Sequence, residues 1–471
     1  MGGGEAESQP LIETTSVLPE SSNSVKYSRS LILACVCASF TGASGGFDVG
    51  VFADAIVLVR SSWGLSYVQE EIAIGIFGFV AAFGTLIALQ TSDAFGRKNT
   101  IILCCLLLAL GSLIQALAGN YGVFLAGRVI AGLGIGVSFV VAPIYNTEIS
   151  PAAARGAMGS LYEISIDFGI AMGYLSGYLC TVYFASDLAW RVMMGLGVVL
   201  PVAVMCGLSS LPESPRWLVS QGRHEEALES LQRMGDEAAS ITIKDIERED
   251  LKIKLVQKSK TVCQDEATTR VMIIAALIGM AQTANGSDAI LYYSATILNQ
   301  AGMKSDVKQM AGSLAIGVSK LAPKLLMFRY YDKIGRRIPM LASAVGVSVA
   351  TLLFTVAFAI DGSPELMLVS LCLYMFSFGF AIGPLTWVTA SEMLPTNART
   401  RGMVMAAFLN RLTSGVITST TLSLTNALGF SGFFGGSFCI TVFIFFFYFF
   451  YLEDHSRRSL EDVSADLRSK N

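Results

Sequence analysis

Twelve apolar runs, each about twenty residues or longer, constrain this chain more than any other feature of its sequence. They fall at residues 30–59, 71–91, 100–118, 121–142, 156–183 and 190–211, and again at 270–298, 308–328, 338–360, 365–390, 402–427 and 431–452. At a rise of ~1.5 Å per residue, about 20 apolar residues cross the hydrocarbon of a bilayer as a helix. The pattern predicts an all-α membrane protein with twelve transmembrane helices in two sets of six. Charge agrees: 15% of the 471 residues are charged, where a soluble domain carries about 25%.

Five segments follow from the runs. Residues 1–29 form a Gly/Ser/Glu-rich tail expected to be disordered. Residues 30–211 and 270–452 are the two six-helix halves, 212–269 is a charged linker, and 453–471 is a polar tail. Within the linker, charges alternate with Leu and Ile at helical spacing over residues 225–234 and 241–256, which predicts short amphipathic helices. One set of short loops holds Arg97, Lys98, Arg155, Arg329, Lys333, Arg336, Arg337, Arg399 and Arg401. The opposite set holds Arg60, Lys304 and Lys308, with Arg191 at a span edge. The excess of bases predicts that both termini and the linker are cytoplasmic.

Other classes find little support. No basic domain or aromatic-basic patch suits nucleic acid. The nine cysteines lie mostly inside apolar spans, as Cys35, Cys37, Cys104, Cys105 and Cys372 do, and read as small core residues. The polar start does not resemble a cleavable signal peptide, and Ala6 stands where myristoylation after Gly2 needs Ser or Thr. No nucleophile–base pair or metal set in a soluble domain suggests an enzyme, and no metal or cofactor is expected.

Against this apolar background single charges stand out. Asp48 lies near the middle of the first run, in Gly46-Phe47-Asp48-Val49-Gly50. A charge at that depth costs ~2.5–3.5 kcal/mol on insertion scales, and such residues face a partner or a water-filled path. Both histidines, His224 and His455, fall in polar segments, so proton chemistry inside the membrane has to use carboxylates.

The two halves repeat one another. Asp93-Ala94-Phe95-Gly96-Arg97-Lys98 matches Asp332-Lys333-Ile334-Gly335-Arg336-Arg337 at an offset of 239. Glu148 precedes Arg155 as Glu392 precedes Arg399, at an offset of 244, and Asp48 has a counterpart in Asp288 at 240. Parallel repeats of this kind place substrate at their interface near the midplane, and rocking of the halves alternates access to it.

These motifs resemble the sugar porter family of the major facilitator superfamily. The resemblance covers about residues 30–465 and rests on the runs already quoted, on Gly127-Arg128-Val129-Ile130-Ala131-Gly132, and on Gly383-Pro384-Leu385-Thr386-Trp387-Val388 with Ser391-Glu392-Met393-Leu394-Pro395. The most specific run is Pro212-Glu213-Ser214-Pro215-Arg216-Trp217-Leu218. Glu163, Asp288, Lys320 and the stretch from Asn410 to Ile417 are similar to the plant polyol/monosaccharide proton symporters.

The resemblance implies roles for particular residues. Asp48 and Arg128 would be the proton carrier and its modulator, since an Arg holds a carboxyl pKa down while desolvation raises it. Glu163, Gln282, Asp288, Trp387 and Asn410 would contact a sugar or polyol, and Asp167, four residues from Glu163 on the same helix face, is a further candidate. Asp93, Arg97, Lys98, Glu148, Arg155, Glu213, Arg216, Asp332, Arg336, Arg337, Glu392 and Arg399 would form a cytoplasmic gate network that latches the outward-facing state.

Several positions depart from the family pattern. Thr283 replaces the second of two glutamines, Asp167 an Asn, Asp54 a Gly, and Leu89-Gln90 the Gly-Arg that opens the loop motif; the usual Pro-Glu-Thr-Lys-Gly after the last span is Leu452-Glu453-Asp454-His455-Ser456. The basic residues at 320 and 324 share a helix face. Lys324 is expected to snorkel toward the cytoplasm, Lys320 has no evident partner, and Arg411 needs a nearby acid.

The resulting expectation is a proton-coupled symporter of a monosaccharide or polyol, functional as a monomer, with the proton as co-substrate. An uncoupled facilitator and a non-transporting sugar sensor are the alternatives. Glu7, Leu11 and Ile12 resemble an acidic dileucine sorting signal, read by an adaptor, which points to the plasma membrane or a vacuolar or endosomal membrane.

Overall fold

The structure, a computed structural model, describes residues 28–151, 155–236, 239–258, 266–327, 330, 334–395 and 398–452. Among these residues every regular element is a helix. The first half consists of α1 (Arg29–Trp63), α2 (Tyr67–Phe95), α3 (Arg97–Ala116), α4 (Tyr121–Ile149), α5 (Arg155–Tyr183), α6 (Ser186–Leu196) and α7 (Val199–Ser209). The linker contributes α8 (Pro215–Ser220), α9 (His224–Arg233) and α10 (Ala239–Lys258). The second half consists of α11 (Glu266–Ala284), α12 (Ser287–Tyr292), α13 (Ser294–Gln300), α14 (Asp306–Met327), α15 (Arg337–Ala359), α16 (Pro364–Phe380), α17 (Ile382–Met393) and α18 (Arg399–Tyr451). The architecture is the twelve-span, two-half fold of the major facilitator type.

Local chemistry sets many of the ends. The Ser66 and Gln69 side chains cap the start of α2 reciprocally, Asn120 accepts the Val123 amide at the start of α4, and α1 ends on a left-handed Gly64. Five of the expected spans are not separate straight rods. The sixth divides into α6 and α7, the seventh into α11, α12 and α13, and the tenth into α16 and α17, whereas the eleventh and twelfth join through Gly429, whose φ of 74° turns the chain inside α18.

Among the described residues eight helical stretches are long and apolar enough to cross a membrane, and this is an integral, multi-pass membrane protein. Phe83, Leu353 and Phe443 lie on its outside, where hydrocarbon rather than water would surround them. Inside the first half, Gly42, Gly46 and Gly50 of α1 face α5, and Gly169, Gly173 and Gly177 of α5 face α1. A Cβ at Gly46 would collide with the Ile166 carbonyl, and one at Gly173 with that of Phe47. Small residues at this spacing let the backbones touch, which drives packing in lipid. The two halves meet mainly along α2 with α18 and α5 with α14.

Candidate functional site: a charged cavity between the halves

A cavity of about 570 Å³, counted to its open mouth, lies between the halves. Its walls come from both: Val49, Phe139, Glu163, Ile166 and Ile170 on one side, and Gln282, Thr283, Ser287, Asp288, Leu291, Tyr292, Lys320, Lys324, Phe378, Gly383 and Arg411 on the other. Apolar faces alternate with carboxylate, amide, hydroxyl and ammonium groups, the mixture that a polyhydroxylated ligand needs to pair all its hydroxyls.

The break in the seventh span builds one wall. Gly286 takes a left-handed φ of 91°, and the Asn285 side chain accepts the Ser287 amide across the gap. Asp288 follows at once in the first turn of α12; its carboxylate accepts a short hydrogen bond from Ser414 and lies 4.0 Å from Arg411 Nη2. The expected acid near Arg411 is therefore Asp288, although Arg411 donates more closely to Asn410 Oδ1, at 2.9 and 2.6 Å. Gln282 is held from behind: its Nε2 donates to the Gly383 carbonyl at 2.7 Å and its Oε1 accepts from Asn410 at 2.9 Å.

Of the expected ligand-contacting residues, Glu163, Gln282 and Asp288 line the cavity. Asp167, Trp387 and Asn410 are not among its lining residues. Asn410 orients Gln282, and Trp387 packs edge-on against the lining Phe139, ring centroids 5.1 Å apart, with its indole N–H buried and unpartnered.

Asp167 belongs to a cluster that joins the halves. Its two oxygens lie 3.0 Å from Lys320 Nζ and 2.6 Å from Lys324 Nζ, as charge contacts outside hydrogen-bonding geometry, and Lys324 also reaches Glu163 Oε2 at 3.4 Å. Lys324 therefore does not snorkel: its side chain is 1% exposed, because two acids on α5 hold it at the interface. Lys320, without an evident partner in the sequence, finds one in Asp167. Two acids four residues apart on α5 face two bases four residues apart on α14.

Asp48 and Arg128 meet within the first half. Asp48 Oδ2 lies 2.5 Å from Arg128 Nη1; Arg128 is fully buried and Asp48 is 5% exposed. Arg128 also donates to the Ala73 carbonyl at 3.2 Å, and its guanidinium lies over the Phe52 and Phe77 rings at 3.7 and 4.2 Å. Val49, the next residue, lines the cavity, as does Tyr292, which stands near both charges.

The loop charges form two clusters, one in each half. In the first, Arg97 pairs with Asp93 at 3.0 Å and grips Glu148 through Nε and Nη2 at 3.0 and 3.2 Å, while Ser214 donates to Glu148 at 2.5 Å. Glu213 accepts the amides of Arg97 and Lys98, capping α3; Gly96 permits this approach, since a Cβ there would strike the Glu213 carboxylate. Burial nevertheless pushes the Glu213 carboxyl up, outweighing the backbone N–H bonds and Arg97 that favour its charge. Lys98 Nζ donates to the carbonyls of Ser209 and Leu211.

In the second half Arg336 pairs with Glu392 at 3.2 Å, Arg337 donates to the Phe449 carbonyl at 2.7 Å, and Arg399 to that of Leu394 at 3.3 Å. Arg216 is half-buried and takes part in an interaction. Asp332 and the Arg155 side chain lie outside the described residues, as do Glu7, Leu11 and Ile12.

Contacts absent from the sequence reading close the end of the cavity remote from these clusters. Glu71 of α2 accepts the Ser423 amide at 2.7 Å and its hydroxyl at 2.5 Å, and the Tyr174 hydroxyl of α5 donates to the Leu291 carbonyl at 2.5 Å. Both contacts cross between the halves. Glu71 sits one turn into an apolar helix, a visible signal, but nothing in the sequence pairs it with Ser423.

Comparison with known proteins accords with this geometry. The family model described as "Sugar (and other) transporter" matches residues 34–467. The chain belongs to this sugar transporter family. It is a carrier and not an enzyme. The transporter is 35% identical over 438 residues to "Putative polyol transporter 2" of Arabidopsis thaliana, covering 86% of this chain and 85% of that protein. It is 27% identical to the "Galactose-proton symporter" of Escherichia coli, covering 92% and 93%. Its fold is similar to that of the E. coli xylose transporter XylE in a partially occluded inward-open conformation, with a TM-score of 0.79 at 22% identity over 92% of this chain and 100% of that one.

Proposed function

We propose that this transporter carries a monosaccharide or polyol together with a proton, by alternating access at the cavity between its halves. The observation that carries the reading is the buried Asp48–Arg128 pair beside the cavity. A carboxylate balanced between a guanidinium and desolvation can load a proton from one side and release it to the other. Its relatives include named polyol transporters and a galactose-proton symporter. Glu163, Gln282 and Asp288 would bind hydroxyls, Asn410 would hold Gln282 in place, and Trp387 would back the wall through Phe139. The four charges of the interhalf cluster sum to zero, as do Asp288 and Arg411, which suits an uncharged cargo.

The excess of loop bases supports a cytoplasmic position for both termini and the linker under the positive-inside rule. The closed end, with Glu71–Ser423 and Tyr174–Leu291, would then face outward, and the loop clusters would latch the opposite state. Glu7, Leu11 and Ile12 would recruit a sorting adaptor that directs the chain to the plasma membrane or to a vacuolar or endosomal membrane, and the monomer would be the working unit.

Uptake of a labelled hexose and polyol panel into vesicles, with and without a pH gradient, tests the reading. Gradient-driven accumulation is expected; equilibration to the same level with and without the gradient would mean an uncoupled facilitator. A Leu11→Ala/Ile12→Ala variant should lose its normal location, and unaltered localisation would discard the adaptor.

A further inference from the structure

Asp54 is the one acid on α1 that the transport cycle outlined above does not use. It lies six residues beyond Asp48, about 9 Å along the helix toward the closed end. It is fully buried, and neither carboxylate oxygen has a hydrogen-bond partner. Gly177 of α5 presses directly against it, since a Cβ there would collide with the Asp54 carboxylate. Ser313 of α14, in the other half, is its polar neighbour; that hydroxyl shares a hydrogen bond with Ser294 at 2.9 Å and is still able to turn its O–H toward Asp54.

The groups around Asp54 offer no counter-charge. From α5 the titratable neighbour is Tyr174, whose hydroxyl donates to Leu291. On the other helices that touch α1, the buried charges are committed elsewhere, and Asp306 and Lys308 at the start of α14 are exposed. Arg128 of α4 binds Asp48, Arg191 of α6 binds the Ala116 and Ala118 carbonyls, and Asp187 accepts from Ser62. On α12 Asp288 accepts from Ser414 and Tyr292 faces the Asp48–Arg128 pair; Tyr293, ahead of α13, donates to Thr418. Lys320 and Lys324 of α14 bind the α5 acids, and Arg97 and Lys98 of α3 sit in the loop cluster.

Among the described residues, an ionised carboxylate in such a place has neither a cation nor an N–H beside it to offset its burial. Opening the closed end separates α14 from α1 and α5 and admits water, where a carboxylate ionises at ordinary pH.

We propose that Asp54 is a second proton-binding residue of this transporter, which takes up a proton from the outer solution as the outer ends of the halves close and returns it to the same solution as they part. The O–H bond formed on closing is the bond broken on opening, so no proton crosses the membrane by this route. Asp54 does not line the cavity, in keeping with a gate proton that never joins the cargo. The proposal rests on the alternating-access reading, with this end outward, but not on Asp48 being the coupling site.

The test reads the gate and not uptake. Spin labels at Val68→Cys and Leu428→Cys, both exposed and on opposite halves near the closed end, report opening in a chain whose exposed Cys206 and Cys439, together with Cys263 of the linker, are replaced by Ser. One linked proton makes the open-to-closed ratio rise by up to about tenfold per pH unit above the ordinary carboxylate range. The isosteric Asp54→Asn should flatten that dependence, and Asp48→Asn should leave it in place. A slope that survives in Asp54→Asn overturns the proposal. So does a slope that vanishes in Asp48→Asn, a variant that leaves Asp54 untouched and keeps the proposal testable even where Asp54→Asn fails to fold.

Discussion

Two buried groups of opposite charges sit within reach of the same cavity, yet they are placed differently. Asp48 and Arg128 belong to α1 and α4 of one half, with Ala73, Phe52 and Phe77 of that half around the guanidinium. Glu163 and Asp167 belong to α5, whereas Lys320 and Lys324 belong to α14 of the other half. When rigid halves rock, the first pair moves as a unit and the second is stretched. A pair that keeps its partner throughout holds one geometry in every state, which suits a proton carrier. A cluster that spans the moving interface measures how closely the halves approach. Similar chemistry therefore serves two tasks, set by which helices carry it.

The largest effect should come from breaking the interhalf cluster unevenly. Lys324→Met leaves Asp167 and Glu163 buried with half their counter-charge and should cost about 3–5 kcal/mol, read as thermal unfolding of the purified protein. Adding Asp167→Asn removes the stranded charge and should restore most of that loss; a double variant as unstable as the single would mean the contacts are not coupled. A smaller effect sharpens the contrast between within-half and cross-half contacts. Glu71→Gln weakens the bonds to Ser423 and should cost the closed state about 1 kcal/mol, shifting the spin-label ratio about fivefold toward open, with no change for labels placed within one half.

The smallest concerns Glu213 of the linker, whose contacts are with the first half and the linker itself. Its carboxyl is raised in the folded state, so its contribution to stability is present at low pH and is lost as pH rises through the raised value. The wild-type protein should lose a little stability across that window, and Glu213→Gln should not show this decline. A decline of equal size in the variant would assign it to another group.

Much of this was legible in the sequence because a bilayer demands long apolar runs and makes each intramembrane charge conspicuous. Asp48, Asp288 and the paired loop motifs around Gly96 and Gly335 could be picked out by depth or by repeat, and Arg128 by family resemblance, whereas Arg411 was seen to need an acid without its being identified as Asp288. The cluster at Lys324 was not, although both i, i+4 pairs were in view. Spacing tells which face of a helix a residue occupies, but not which helix that face meets, and α5 and α14 are more than a hundred residues apart. The same gap hid Glu71–Ser423. Asp167, Trp387 and Asn410 show a further limit: family position indicates the neighbourhood of a site, whereas a change of one layer in depth turns a wall residue into its support.

The central claim is that Asp48 carries the coupled proton while the cross-half contacts govern access. Uptake of a transported polyol or hexose into vesicles, with and without an inward proton gradient, tests it most directly when wild type and Asp48→Asn are compared. The account predicts accumulation above equilibrium in the wild type, driven by the gradient, and gradient-independent equilibration in Asp48→Asn. Accumulation in Asp48→Asn that still follows the gradient as in the wild type would contradict it.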